Sequence, residues 1–359
     1  MNTQATSSAP VLVQPLAVHR IDTQALGAWL STALPAAGEG LTVQQFQGGM
    51  SNPTYLITVA SGDRFVLRKK PSGKILPKAH AVDREYRIMK ALAGTPVPAP
   101  RMVAYCDDPA VLGAEFFVME YVEGRIIPPP SMGPIPRQER PALAYSLVDT
   151  LADLHAVDWR AVGLEGFGRP ENYLARQTSR WAAQYEASKE ALPADFDYSQ
   201  MDWLRDWLLE HSQVSDESAI VHGDYRLGNT IVHADRPEVI AVLDWELCTI
   251  GHPIADLAYL CLHYRLPGDL PGVVDLVEAG LPSEQAMLER YCQRTGRDGI
   301  PDWPVFLAFA CFRSAAIIQG VAARAAQGNV SSASVNPIEE GARARRMAET
   351  GAGIARAHG

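Results

Sequence analysis

The sequence predicts an α+β chain in two lobes, a small antiparallel sheet followed by a mostly helical remainder. Three observations carry this. Strand-like runs at 41–46, 55–59 and 64–68 follow one another through glycine-containing turns in the first third of the chain. From residue 143 onward apolar residues recur at helical spacing, ending in a long apolar stretch at 305–326. And 359 residues exceed what one small core organises, so two lobes are expected.

In chain order, residues 1–20 read as a flexible tail. A helix is expected over 21–34, with Leu26, Trp29 and Leu30 on one face and Asp22 as N-cap. The three strands come next. Between the first two lies Gly48-Gly49-Met50-Ser51-Asn52-Pro53, where paired glycines let backbone N–H groups approach an anion without a side-chain clash. An ordinary turn would use the same residues.

Residues 83–92 form an amphipathic helix that puts Glu85 on the face of Ile88, Met89 and Leu92. A carboxylate facing inward needs a cation, and Arg68 on the third strand is the expected partner. Pro96, Pro98 and Pro100 end that helix, and two further strands are expected at 101–106 and 115–122. The first lobe is placed at 21–122 and the second at 123–359.

In the second lobe, helices are expected at 143–155, 171–190 and 199–213. His155 reads as structural. The stretch at 305–326 is apolar almost all round, hence a buried helix, with Arg313, Gly320 and Arg324 within about 20° of one stripe. A buried arginine must face an anion, either an internal carboxylate or one on a ligand. Residues 341–359 read as a surface helix or loose end.

The chemistry concentrates at 220–260. The run His222-Gly223-Asp224-Tyr225-Arg226-Leu227-Gly228-Asn229 is followed by an apolar strand, 239–243, that ends at Asp244. Phosphoryl transfer needs one carboxylate to orient a hydroxyl, plus an Asn and an Asp to hold magnesium on the phosphates. Asp224, Asn229 and Asp244 supply that set at the spacing of a kinase catalytic loop, with Gly223 where that loop has Arg. A polar turn is the plain alternative. A metal-hydrolase reading of His222, Asp224, His233 and Asp244 lacks a paired-histidine helix or a tight ligand cluster.

The H-G-D-x-x-x-x-N form resembles the aminoglycoside phosphotransferase and choline kinase branch of the kinase-like superfamily. The resemblance implies a two-lobed protein-kinase-like fold that uses ATP and Mg2+. It implies that Gly48, Gly49, Ser51 and Asn52 form the nucleotide loop, and that Arg68 grips phosphates with Glu85 behind it. Whether Arg68 or Lys70 touches phosphate stays open. Met119-Glu120-Tyr121-Val122 resembles a kinase hinge, so Glu120 and Val122 are expected to meet the nucleotide through their main chain. Asp224 is expected as the catalytic carboxylate, Arg226 as a stabiliser of developing charge or a plain loop arginine, and Asn229 and Asp244 as metal ligands. Asp256 is expected to tie down the catalytic loop. His252 stands where the family has an Asp, which leaves that position's role open.

The runs at 48–55, 66–71 and 318–320 are similar to a subgroup, the kinase-like domain fused to acyl-CoA dehydrogenase in some proteins. That points to a small hydroxylated acceptor, a hydroxy acid or hydroxyacyl-CoA among the candidates. An antibiotic or small-alcohol kinase and a catalytically silent nucleotide-binding module are the rivals.

Composition narrows the field further. A net charge of −9 and a pI near 5.5 argue against a general nucleic-acid binder. Cysteines at 106, 248, 261, 292 and 311 are scattered, as expected of reduced thiols in a cytoplasmic protein. The first ten residues lack a leader pattern, and charged side chains interrupt the one long apolar stretch, so no membrane partner is expected. Oligomeric state is left open.

Overall fold

The structure is a computed structural model, describing residues 11–15, 19–47, 52–71, 81–127, 135–192, 196–268, 270, 273–328 and 335–358. By its internal contacts the chain divides into two compact units. The first comprises residues 1–134, 162–164 and 227–248; the second comprises 135–161, 165–226 and 249–359. This division follows contacts rather than a single cut, and the first unit takes in Asn229 and Asp244 from far along the chain.

In the first unit, β1 (Leu12–Val13), β2 (Leu41–Phe46), β3 (Thr54–Val59), β4 (Arg64–Lys69), β5 (Met102–Cys106) and β6 (Phe116–Glu120) build one antiparallel sheet. Its order is β1-β2-β3-β4-β6-β5. The helix α1 (Thr23–Leu30) begins where Asp22 accepts the Gln24 and Ala25 N–H groups at 3.0 and 2.9 Å. Leu26 and Leu30 of α1 bury against Tyr55, Ile57, Leu67 and Phe116 of the sheet. Two short turns, α2 (Pro35–Gly38) and α4 (Pro109–Leu112), connect strands, and α3 (Val82–Ala91) lies between β4 and β5 in the chain. The α3 face carrying Val82, Glu85, Ile88 and Met89 is buried, which places an ionisable group among apolar neighbours.

A hairpin of β8 (Thr230–Val232) and β9 (Val239–Val242) completes this unit. It is tied in by Arg125, whose backbone exchanges hydrogen bonds with Val232 at 2.7 and 2.9 Å. A Cβ on the preceding Gly124 would lie 2.5 Å from both the Ile231 side chain and the Val232 carbonyl, so the strand approaches only a glycine there.

The second unit is helical: α5 (Arg140–Ala156), α6 (Tyr173–Lys189), α7 (Ser199–His211), α8 (Ile254–Cys261), α9 (Glu284–Thr295), α10 (Trp303–Ala326) and α11 (Pro337–His358). One small ladder, β7 (Ala219–Val221) against β10 (Thr249–Gly251), sits among them. An antiparallel sheet plus a mostly helical remainder is the α+β class expected from the sequence. By length and composition α10 is apolar enough to cross a membrane, but 72% of its most apolar window is buried inside the protein. It is a core helix.

Two expectations are corrected here. The segment from 341 onward is not a loose end but part of a helix with one exposed face and one face buried in the core. Its Ala348, Ala352 and Ala355 are fully buried, and a Cβ on Gly351 would stand 2.7 Å from the Cys311 Cβ of α10. Small residues at every third or fourth position let the α11 backbone close on α10. And Arg324 is exposed at the end of α10, so only Arg313 of the expected arginine stripe turns inward.

Candidate active site

The residues expected at the site are distributed over the two units, Arg68, Asn229 and Asp244 in the first and Asp224 and Arg226 in the second. In the first unit Arg68 is the hub. It lies on β4 opposite Phe117 of β6, and its side chain is 14% exposed. Its Nε stands 3.1 Å from Glu85 Oε2, and its Nη2 donates to Asp244 Oδ1 at 2.8 Å, with Glu246 Oε2 at 3.8 Å. One guanidinium thus joins the inward carboxylate of α3 to the aspartate after β9, using the planar fork a lysine lacks. Lys70 instead faces Glu115 at 3.8 Å, and Arg68 is the expected partner of Glu85. Burial pushes the Glu85 carboxyl up to about 7, although the Arg68 guanidinium pulls it down.

Asn52, expected at the phosphates, is 2% exposed, and its amide Nδ2 donates to Glu85 Oε1 at 3.0 Å. The structure gives it a bracing contact on Glu85. Gly48, Gly49 and Ser51 lie outside the described residues. Glu120 closes β6, where its N–H donates to the Arg101 carbonyl at 3.0 Å and its carboxylate accepts the Arg101 N–H at 2.9 Å. Val122, two residues on, is half-buried.

Asn229 ends a short 3-10 turn, Leu227–Asn229, and is 8% exposed. Its carbonyl accepts the Leu243 N–H at 2.8 Å, which brings it beside the residue preceding Asp244. Asp244 adopts φ 64° and ψ 57°, the left-handed region that a non-glycine residue occupies at a cost. Its carboxylate is 37% exposed. Magnesium on a nucleotide takes one or two protein oxygens, with phosphates and water filling the rest. Asn229 and Asp244 fit that demand, and the left-handed backbone holds the carboxylate that would serve as ligand. Among the described residues no group of three or more His, Cys, Asp or Glu that could hold a metal ion is found.

In the second unit the loop after β7 carries Asp224. His222 and Gly223 donate their backbone N–H groups to Asp256 of α8 at 2.6 and 2.9 Å. Gly223 has φ 85°, which turns the loop sharply just before Asp224. Asp256 is 1% exposed. Burial would raise its carboxyl, but that is outweighed by the His155 ring, His222 and the Gly223 N–H, which hold it below the usual carboxylate range. His155 Nε2 stands 3.6 Å away, and its Nδ1 pairs with the Tyr291 hydroxyl at 2.7 Å. His155 is structural, and Asp256 anchors the loop backbone. His252, where the family pattern has Asp, accepts the Ile254 N–H on Nδ1 at 3.3 Å. A ring nitrogen there does the N-terminal capping of α8 that a carboxylate could do.

Asp224 itself is 21% exposed at its side chain, and Arg226 Nε stands 3.4 Å from its Oδ2. Burial, with the charge of nearby Asp224, pushes the Tyr259 phenol of α8 well above its usual range. Arg313 of α10 donates to the Gly223 carbonyl and lies 5.7 Å from the Trp181 ring and 5.3 Å from the Tyr259 ring. The inward arginine thus finds its acceptor in the loop backbone rather than in a carboxylate. Sequence reasoning did not single out Tyr259, which lies three positions after Asp256 on the same helix face.

Comparison with known proteins decides the family. The model of the phosphotransferase enzyme family matches residues 42–304. The chain belongs to that family. It is 42% identical over 331 residues to acyl-CoA dehydrogenase family member 11 of Rattus norvegicus, covering 89% of this chain and 42% of that protein. The phosphotransferase therefore spans under half the length of such relatives. A crystal structure of a candidate aminoglycoside phosphotransferase from Ralstonia eutropha JMP134 is 40% identical, with a TM-score of 0.82 over 94% of this chain and 99% of that one. At 15% identity the fold is shared with a thermostable mutant of aminoglycoside phosphotransferase APH(4)-Ia, solved with AMP-PNP and hygromycin B. There the TM-score is 0.58, over 90% of this chain and 98% of the other. The α+β architecture of this phosphotransferase is thus the kinase-like one.

Proposed function

We propose that this phosphotransferase moves the γ-phosphoryl group of Mg·ATP to the hydroxyl of a small acidic metabolite, a hydroxy acid or its CoA thioester. The observation that carries the reading is Arg68 bound at once to Glu85 and Asp244, beside Asn229. That is the set phosphoryl transfer uses to hold phosphates and their ion. Asn229 and Asp244 would hold magnesium, which would supply positive charge against the phosphates. Asp224 accepts the proton of the acceptor hydroxyl while that oxygen bonds to phosphorus and the bond to ADP breaks. Arg226 offers positive charge beside it.

The acceptor class rests on charge. Arg226 and Arg313 both lie around Asp224, which suits an acceptor carrying an anion and disfavours a polycationic antibiotic. The name of the rat relative supports an acyl-CoA setting. The test is ADP formation from Mg·ATP over a panel of hydroxyacyl-CoA thioesters, free hydroxy acids, choline and aminoglycosides, with Asp224→Asn as the blank. A thioester or hydroxy acid signal that vanishes in the variant is the expected result. A signal from aminoglycosides or choline alone would overturn the acceptor class, and full turnover by Asp224→Asn would overturn the mechanism.

A further inference from the structure

The C-terminal half of α10 keeps one face open. Toward the core it turns Ala315, Ala316, Gln319, Ala322 and Ala323, all buried. At 100° per residue, Arg313, Ile317, Gly320 and Arg324 fall within about 60° of one another on the other side, with Val321 beside them. Ile317 is 36% exposed, Gly320 and Val321 are half-buried, and Arg324 is exposed. The stripe is uncharged in its middle and has a cation at each end.

One end abuts the catalytic loop. The Arg313 guanidinium donates to the Gly223 carbonyl, in the peptide leading into Asp224, and lies 5.7 Å from the Trp181 ring of α6. At the other end, Arg324 Nη1 lies 3.5 Å from where a Cβ on Gly320 would stand, so that side chain folds back along the helix. Gly320 is about 10 Å along the axis from Arg313, at 1.5 Å per residue. Among the described residues no acidic group pairs with Arg324.

Gly320 is the independent sign of a ligand. A glycine inside a helix destabilises it relative to alanine. Packing gives no reason for one here, because a Cβ would meet only the Arg324 guanidinium, at an ordinary contact distance. The backbone gives none either: Gly320 is helical and outside the left-handed region. The missing side chain leaves a notch between Ile317 and Arg324, floored by bare backbone that a ligand can approach closely.

We propose that this stripe binds the carrier arm of a CoA thioester: with the acyl hydroxyl at Asp224, the arm lies along Ile317 and the Gly320 notch, and Arg324 holds its phosphates. The inference rests on the phosphotransfer reading and narrows its acceptor. A short free hydroxy acid carries its carboxylate close to its hydroxyl and does not reach from one end of the stripe to the other. A long alkyl chain would reach, but on a face open to water it gains little from burial. An arm carrying amides tolerates that face, and its phosphates present the multiple charge that an exposed arginine fork holds best.

ADP formation from Mg·ATP is measured with a short-chain hydroxyacyl-CoA thioester and with the N-acetylcysteamine thioester of the same acid, which has no phosphates. A long-chain acid hydroxylated at its far end is the third acceptor. Wild type is compared with Arg324→Gln, Gly320→Ala and Gly320→Leu. Arg324→Gln is expected to raise KM for the CoA thioester about tenfold, with kcat and KM for ATP within about twofold and no change for the phosphate-free thioester. Gly320→Leu, which fills the notch, is expected to raise the same KM about tenfold, and Gly320→Ala less. Gly320→Ala is also expected to raise the urea midpoint, because alanine favours the helix. Weaker acceptor binding in a more stable protein does not come from misfolding. An unchanged KM for the CoA thioester in Arg324→Gln and Gly320→Leu overturns the inference and leaves phosphotransfer intact. An equal rise for the phosphate-free thioester in Arg324→Gln overturns it too, and a rise confined to the long-chain acid replaces the carrier arm with an alkyl chain. Wild-type turnover of none of the three overturns the acceptor reading and this inference with it.

Discussion

Asn52 donates its side-chain amide to Glu85 at 3.0 Å, with both side chains out of reach of water. Glu85 in turn meets Arg68, so Asn52 braces that ion pair from behind. Asn52→Ala leaves Glu85 Oε1 without that donor. A buried acceptor stripped of its partner costs about 1–3 kcal/mol. The expected outcome is a lower urea midpoint together with roughly tenfold weaker Mg·ATP binding by calorimetry. Unchanged affinity would separate the brace from nucleotide binding.

Arg68 offers a sharper test of the same network. Removing the cation by Arg68→Met leaves Glu85 buried against an uncharged chain, and breaking a buried pair typically costs about 3–5 kcal/mol. Adding Glu85→Gln removes the stranded charge, so the double variant is expected to recover most of that stability while remaining unable to bind Mg·ATP. The measurement is a double-mutant cycle of urea unfolding beside a nucleotide titration. Stability losses that simply add would show that the two side chains do not act as a pair.

Much of this network was legible in the sequence, for a physical reason. A helix that places a glutamate on its apolar face must find it a cation, and the neighbouring strand offered Arg68. Asp224 and Asp244 stand out by their spacing, and Asp256 by its place after the glycine turn. What escaped detection depends on tertiary closeness. Tyr259 reads as one more aromatic on a helix until α8 is seen against the catalytic loop. The segment from 341 read as a surface helix or loose end, and its buried face went unseen because Ala and Gly carry little hydrophobic signal, yet small size is what lets α11 close on α10. Arg324 shared a stripe with Arg313, but it lies where α10 emerges at its end, and periodicity alone does not mark where a helix leaves the core.

The raised Glu85 carboxyl fixes the sign of a pH effect. Its folded value is about 7 against an ordinary 4.5, so between these limits the folded protein keeps a proton that the unfolded chain has released. The stability it contributes is complete below about pH 4.5 and is lost as pH rises through 7. Its size is on the order of 3 kcal/mol from the shift alone. Urea unfolding in metal-free buffer at pH 5, 6 and 7 is expected to show this decline in wild type and a flatter profile in Glu85→Gln. Identical slopes would mean that Glu85 is already ionised across the range.

Asp256 titrates with the opposite sign and gives the most direct test of how the catalytic loop is held. Its carboxyl lies below the usual carboxylate range, so the stability it supplies is present above the ordinary value of 3.8 and is lost as pH falls through the folded value. The carboxylate accepts the His222 and Gly223 N–H groups at 2.6 and 2.9 Å, one oxygen to each. Asp256→Asn keeps one acceptor oxygen and turns an amide N–H2 toward a backbone donor. One of the two loop bonds must then break, in a site with no water to replace it. The loop would shift at the residue before Asp224, and a carboxylate displaced by an ångström costs on the order of a hundredfold in rate. The expected outcome is a kcat roughly a hundredfold lower, nucleotide affinity close to wild type, and stability lower by about 2–3 kcal/mol. Restored turnover in Asp256→Glu is not expected, because the longer side chain would push the same two N–H groups apart. A variant that loses stability but keeps kcat would show that the loop finds its catalytic shape without this anchor.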